Sequence, residues 1–184
     1  MAKESSAVNL TSNFYMQNFY RYNRSAFKTS TRRDYNQSEL SYEDSRALKR
    51  ATAKLSSFTY TEEDNSENLI NTIQAFTETY NNTIESSSSE DSETYRQNRQ
   101  LKALSQKYEK ELKKIGISIE DDGTLSVSEN LLKSASFEDA QKLFSDESNY
   151  IKTVRNIAKR MNATSYEEIY ALMTGNGGKL NIVL

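Results

Sequence analysis

The chain has 184 residues, 35% of them hydrophobic, with a mean hydropathy of −0.83 and a net charge of −2. It contains no cysteine and no histidine, which excludes disulfide bonds, thiolate nucleophiles, and the commonest general base and neutral metal ligand. The composition predicts a non-enzymatic protein that needs no cofactor, with a thin or elongated core.

The first 34 residues are aperiodic and rich in aromatic and arginine side chains. Five rings fall within nine positions, more than a polar segment can bury by itself. We predict that these rings bind a protein partner; the candidates are Phe14, Tyr15, Phe19, Tyr20 and Tyr22. An alternative interpretation is single-stranded nucleic acid, with bases stacked on the rings and phosphates held by Arg21, Arg24, Arg32 and Arg33.

A helix is predicted over residues 38–58, where apolar side chains recur at spacings of three and four. Ser41 and Asp44, three residues apart, suggest a cap at its start. Its exposed face would be a solvated basic stripe of Arg46, Lys49, Arg50 and Lys54. Residues 1–60, the aromatic segment and this helix, form the first of two predicted parts, and residues 61–184 form the second.

The second part begins with two helices, predicted over residues 66–84 and 93–114 around a serine-rich loop. Each has one apolar seam, and neither helix can bury its seam alone. We therefore predict an antiparallel helical hairpin, a coiled-coil-like stalk, with a core of Leu69, Ile73, Phe76, Leu101, Leu104 and Tyr108.

A β-hairpin is predicted next, because apolar residues alternate over 115–119 and 125–127 on either side of Asp122-Gly123, a dipeptide suited to hairpin turns. A calcium-binding loop is the competing interpretation, with ligands at Glu120, Asp122 and Glu129. Ser118 at the first ligand position and the strand-like alternation favour the hairpin.

Further helices are predicted over residues 128–135, 137–144, 147–161 and 165–173. Ser136 is expected to cap the second of these, and Ser165 the last through a capping box. The glycines at 175–178 would end the last helix, and the apolar residues 180–184 suggest a terminal strand or a docking tail. The predicted fold class is mainly α with a small β-hairpin (α+β), elongated.

Five motifs follow one another in a fixed order along the second part: Phe76-x-x-x-Tyr80-Asn81, Leu112-x-x-Ile115-Gly116-Ile117, Asp122-Gly123-Thr124-Leu125-Ser126-Val127, Leu131-Leu132 and Leu143-Phe144. With them, residues 68–161 resemble the C-terminal region of the flagellar filament-cap protein family, hook-associated protein 2, as a shortened or divergent member. The resemblance implies a helical α+β stalk, an assembly role without catalysis, and export through the flagellar secretion apparatus.

The predicted function is accordingly that of a structural or assembly protein of the bacterial flagellum, located there or outside the cell. We see neither a cleavable secretory signal nor an apolar run long enough to span a membrane. The expected partners are flagellar proteins or further copies of the chain. The alternatives are a cytoplasmic helical adaptor or export chaperone that binds a partner helix, and the nucleic-acid-binding protein described above.

Overall fold

The computed structural model describes residues 10–61 and 66–176, a range that leaves the predicted tail at 180–184 outside. The helices are α1 Leu10–Phe19, α2 Thr29–Arg32, α3 Gln37–Ser56, α4 Ser66–Ser86, α5 Tyr95–Lys107, α6 Glu109–Lys114, α7 Glu129–Ser134, α8 Phe137–Phe144 and α9 Asn149–Asn176, with a 3-10 turn at Arg24–Phe27. Strands β1 Ile117–Ile119 and β2 Leu125–Val127 form one antiparallel sheet. The predicted helix-rich α+β class is confirmed.

Helix α3 begins one residue after Asn36, through a capping box. The Glu39 amide donates to Asn36 Oδ1 at 2.9 Å, and the Asn36 amide donates to Glu39 Oε2 at 2.8 Å. These bonds satisfy amides that the first helical turn leaves without partners. The cap predicted at Ser41 and Asp44 is wrong, because both side chains are buried within the helix.

The core is built around α3, which packs along α9 and α4. Its buried face carries Ala47, Leu48, Ala51 and Leu55, none of them exposed to solvent. Small alanine side chains on this face let neighbouring helices approach closely, and the leucines fill the space between them. Because α3 precedes residue 60 while α4 and α9 follow it, the two predicted parts share one core.

The predicted pairing of two helices into a coiled-coil-like stalk is not confirmed. Helix α4 packs mainly on α3, and α5 packs mainly on α9. The two meet through polar contacts: Asn98 Nδ2 donates to the Ile84 carbonyl at 2.8 Å, and Tyr80 Oη lies 2.9 Å from Ser105 Oγ. Both seams exist, but the apolar faces of α3 and α9 cover most of them.

Helix α9 runs without a break where two helices were predicted. Ser165, expected to cap a new helix, is buried inside α9, and its hydroxyl donates to Ser41 Oγ at 3.0 Å. Asn162 also points at α3, and its side-chain amide donates to the Tyr42 carbonyl at 3.0 Å. Ser165, which suggested a boundary, and Asn162 therefore form contacts between helices.

The β-hairpin is confirmed, and α4 fixes its position. Ile117 pairs with Val127 and Ile119 with Leu125. The Asn81 side chain donates to the Leu125 carbonyl at 2.8 Å and accepts from the Leu125 amide at 2.8 Å, so it substitutes for a neighbouring strand. In the turn, Asp122 Oδ1 accepts from the Thr124 amide at 2.9 Å.

Phe76 tests the core. Its ring is fully buried against Phe144 at a centroid distance of 5.5 Å. Phe76→Ala should lower the free energy of unfolding by about 3–5 kcal/mol, because it removes apolar contact and leaves a cavity. Urea denaturation measures this, with Leu131→Ala, at a 55% exposed position, as the control that should change little. Equal losses in both variants would contradict the packing.

Two glycines near the hairpin test its backbone. Gly116 and Gly123 have φ angles of +78° and +83°, in the region that favours glycine. A Cβ at Gly116 would lie 2.7 Å from Leu131 Cβ and 2.9 Å from the Leu132 amide nitrogen, whereas one at Gly123 meets only the Lys102 side chain. The backbone angle alone should make each substitution by alanine lower the free energy of unfolding by about 1–2 kcal/mol. Gly116→Ala should lower it further, because its Cβ would also clash with Leu131 and Leu132. A larger loss at Gly123 would contradict this.

Candidate interaction surface

The structure divides the five predicted partner-binding rings. Phe14 and Tyr22 are 60% and 48% exposed, and Tyr15 is half-buried. Phe19 and Tyr20 are buried in the core, so their assignment to an interaction surface is corrected. The prediction considered the segment by itself, but α1 packs on α4 and gains an apolar wall for its rings. Partner binding by Phe14, Tyr15 and Tyr22 stays a prediction.

A buried ion pair anchors the segment that carries Tyr22. Arg32 donates to both carboxylate oxygens of Asp44, at 3.0 and 3.1 Å, in a bidentate pair. The Tyr20 hydroxyl donates to Asp44 Oδ1 at 2.7 Å, and Asn82 Nδ2 donates to the Tyr20 oxygen at 3.2 Å. Burial, together with the Asp44 charge, raises the pKa of Tyr20 well above its usual value. The phenol therefore remains a hydrogen-bond donor.

The same ion pair changes the interpretation of the arginines. Burial would lower the pKa of Arg32, but the charge and hydrogen bonds of Asp44 outweigh it and raise that pKa. Arg32 also donates to Glu85 Oε2 at 3.3 Å. Of the four arginines considered for nucleic-acid binding, Arg32 is thus paired with carboxylates within the fold. Arg24 and Arg33 are exposed, and Arg21 contacts Tyr22.

Three guanidinium groups converge on the half-exposed Tyr22 ring. Their Cζ atoms lie 4.9 Å (Arg21), 4.2 Å (Arg46) and 4.7 Å (Arg50) from the ring centroid, within cation–π range. We refer to Arg21, Tyr22, Arg46 and Arg50 as the Tyr22 cluster. Sequence analysis considered Tyr22 as a binding ring and the α3 arginines as a solvated stripe, and so missed their combination.

The elements around the cluster explain its geometry. Arg46 and Arg50 are four residues apart on α3 and therefore project from one face of the helix. Arg50 Nη1 donates to the carbonyl of Phe19, the last residue of α1, where the helix dipole favours a cation. Arg21 Nη2 donates to the Tyr22 hydroxyl at 3.1 Å. The end of α1 is thereby tied to the middle of α3.

Like charges crowd this surface. Burial, and then the charges of Arg46 and Arg21, lower the pKa of Arg50 to about 10. Burial also lowers the pKa of Lys49, as do the charges of Arg50, Lys159 and Arg46. Arg50 therefore remains cationic at neutral pH, and the like-charge contributions that follow burial in both shifts reflect the crowding of cations at this surface.

A buried carboxylate lies beside the arginines. Glu43 Oε1 is 3.9 Å from Arg46 Nη1, and the Glu43 side chain is not exposed. Burial raises the pKa of Glu43, while the Arg46 charge opposes that shift. Glu43 thus helps to position Arg46 from the buried side of the cluster. Because Glu43 itself is buried, a partner in solvent cannot contact it. Arg21, the partly buried Arg50 and the exposed part of the Tyr22 ring form the accessible surface, whereas only 18% of the Arg46 side chain is exposed.

Guanidinium groups bind carboxylates and phosphates through paired N–H donors, and tyrosine adds apolar contact area. The Tyr22 cluster can therefore bind an anionic group. Over residues 10–61 and 66–176, no three acidic side chains are grouped to hold a metal ion, and no helix combines the length and apolar character of a bilayer span.

No protein-family model, curated protein or solved structure matches the chain. The resemblance to the filament-cap family therefore stays a prediction.

The Arg32–Asp44 pair gives a stability test with an internal control. Asp44→Asn should lower the free energy of unfolding by about 3 kcal/mol, because it leaves a buried guanidinium without its counter-charge. Glu85→Gln removes the charge of the second partner of Arg32. Because the Glu85 side chain is 72% exposed, this change should lower the free energy of unfolding by less than about 1 kcal/mol. Urea denaturation compares the two, and similar losses would show that Asp44 is not the anchor.

Proposed function

We propose that this chain is a non-enzymatic protein-binding module and that the Tyr22 cluster binds an acidic segment of a protein partner. The observation that supports the proposal is the convergence of three guanidinium groups on one half-exposed ring. Crowded cations repel one another, and a carboxylate-bearing partner relieves that repulsion while its own charge is paired.

A protein partner fits this geometry better than single-stranded nucleic acid does. Base recognition needs an open aromatic face, but guanidinium groups already approach the Tyr22 ring to within 4.2–4.9 Å. A nucleobase would have to displace them. Arg32, which the nucleic-acid interpretation requires, is paired with Asp44. Carboxylates can instead use the guanidinium edges and leave the ring contacts in place.

Within this proposal the chain serves in an assembly, as the resemblance to the filament-cap family suggests. Its place would be the bacterial flagellum or the extracellular space, reached by export without a cleaved signal. A cytoplasmic adaptor or export chaperone would use the same cluster on a different partner. Both roles are structural, and they differ in where the complex is found.

Binding is tested with a fluorescein-labelled oligoglutamate peptide as the probe. The double variant Arg21→Gln/Arg50→Gln should weaken its binding by about tenfold, which corresponds to about 1.4 kcal/mol. Lys54→Gln, a change on α3 outside the cluster, is the matched control. Melting curves establish that each variant is folded, and Tyr22→Leu adds a variant that keeps every charge.

Oligothymidylate serves as the competing probe in the same anisotropy assay. We expect it to bind more weakly than the oligoglutamate peptide at equal ionic strength, because guanidinium groups already lie against the Tyr22 ring on which a base would stack. Tighter binding of oligothymidylate that depends on Arg21 and Arg50 would favour nucleic acid. Equal oligoglutamate binding by the wild type and the double variant would overturn the role of the cluster.

The cellular role is tested in a deletion strain. Loss of the gene should impair filament assembly seen by electron microscopy, and the protein should leave the cell only when the flagellar exporter is active. Normal filaments, with the protein retained in the cytosol in a complex with one partner, would favour the adaptor or chaperone.

A further inference from the structure

The last turns of α9 expose an apolar face. Tyr166, Tyr170 and Met173 are 43%, 58% and 42% exposed. Their spacing of four and three residues places them on one side of the helix, along about 10 Å at 1.5 Å per residue. We refer to these three residues as the α9 strip.

The α9 strip is connected to the Tyr22 cluster through ring contacts. Arg46 lies over Tyr22 and also 5.5 Å from the Tyr42 ring centroid. The Tyr42 ring in turn lies 6.3 Å from that of Tyr166, the first residue of the strip. Arg46 therefore contacts Tyr22 on one side and Tyr42 on the other, and Tyr42 in turn contacts the first residue of the α9 strip.

We infer that the partner segment is amphipathic and continues from the Tyr22 cluster onto the α9 strip, with its carboxylates on the arginines and its apolar side chains on Tyr166, Tyr170 and Met173. This inference rests on the proposed function and specifies the partner. It is supported by charge complementarity at one end and by the contacts that join the two surfaces.

The dimensions suit a short helix of the partner. Residues 42–50 cover about 12 Å of α3, and the strip covers about 10 Å of α9, so a ligand of roughly 15 helical residues spans both. Apolar anchors on such a ligand recur at spacings of three and four, the same spacing as Tyr166, Tyr170 and Met173. An anionic membrane would contact the apolar and the cationic groups side by side in one plane. It would not distinguish the cationic end of the site from the apolar end.

Two synthetic peptides test the inference. The first carries glutamates at one end and leucines at helical spacing at the other; in the second, serines replace the leucines. The first should bind the wild-type chain about tenfold more tightly, since a few desolvated apolar contacts suffice for that difference. Tyr170→Ser/Met173→Ser should abolish the difference while leaving binding of the serine peptide unchanged. Leu131→Ser, at another exposed apolar position, is the matched control.

Each result separates the inference from the function on which it rests. Equal binding of both peptides would overturn the strip as part of the site but leave the Tyr22 cluster standing. Binding of neither peptide would overturn the proposed function. A change in anisotropy seen only with vesicles of anionic lipid would assign the α9 strip to a membrane. A dimer in sedimentation that Tyr170→Ser/Met173→Ser abolishes would assign it to a second copy of the chain. Either result would overturn the inference.

Discussion

The pair between Arg32 and Asp44 is the contact on which the candidate surface depends. Asp44 on α3 also accepts the Tyr20 hydroxyl, so one buried carboxylate holds the chain on both sides of Tyr22. Burying two charges is costly, and the bidentate geometry and the added hydrogen bonds offset much of that cost. The contribution of the pair is therefore conformational: it selects one position for residues 20–32 against α3, and that position delivers Tyr22 to the arginines.

The helices are buried although the mean hydropathy of the chain is low, because many of the buried side chains are threonine and serine. Thr79 and Thr83 are buried in α4, and their hydroxyls donate to carbonyls four residues earlier, at 2.7 and 2.8 Å. Between helices, the hydroxyl of Ser105 contacts those of Tyr80 and Tyr150. Each of these hydroxyl groups has a partner, so threonine and serine occupy positions that hydropathy assigns to solvent. The expectation of a thin core treated every hydroxyl as exposed.

Local signals were predictable from the sequence, and pairings between distant segments were not. The turn at Asp122-Gly123 and the Ser136 cap of α8 depend on neighbouring residues, and both are found. The preference of α4 for α3 over α5 depends on which apolar faces fit, which spacing alone does not encode. Ser165 shows the same limit, since its meaning changes from cap to helix contact once Ser41 lies opposite. The candidate surface was half predicted: Tyr22 and Arg21 were named, but Arg46 and Arg50 lie on α3 and were assigned to a solvated stripe.

The charge distribution explains why the cluster is available to a partner. Residues 61–147 carry 19 acidic against 9 basic side chains, and they do reach the basic N-terminal part, where Glu85 pairs with Arg32. That contact lies at the anchor and not at the Tyr22 ring. At the ring, the carboxylate beside Arg46 is Glu43, from the same helix and buried. After burial, the charges of Arg46 and Arg21 lower the pKa of Arg50, as expected where like charges are crowded. This crowding lies beside the half-exposed Tyr22 ring, and an acidic protein segment would complement it.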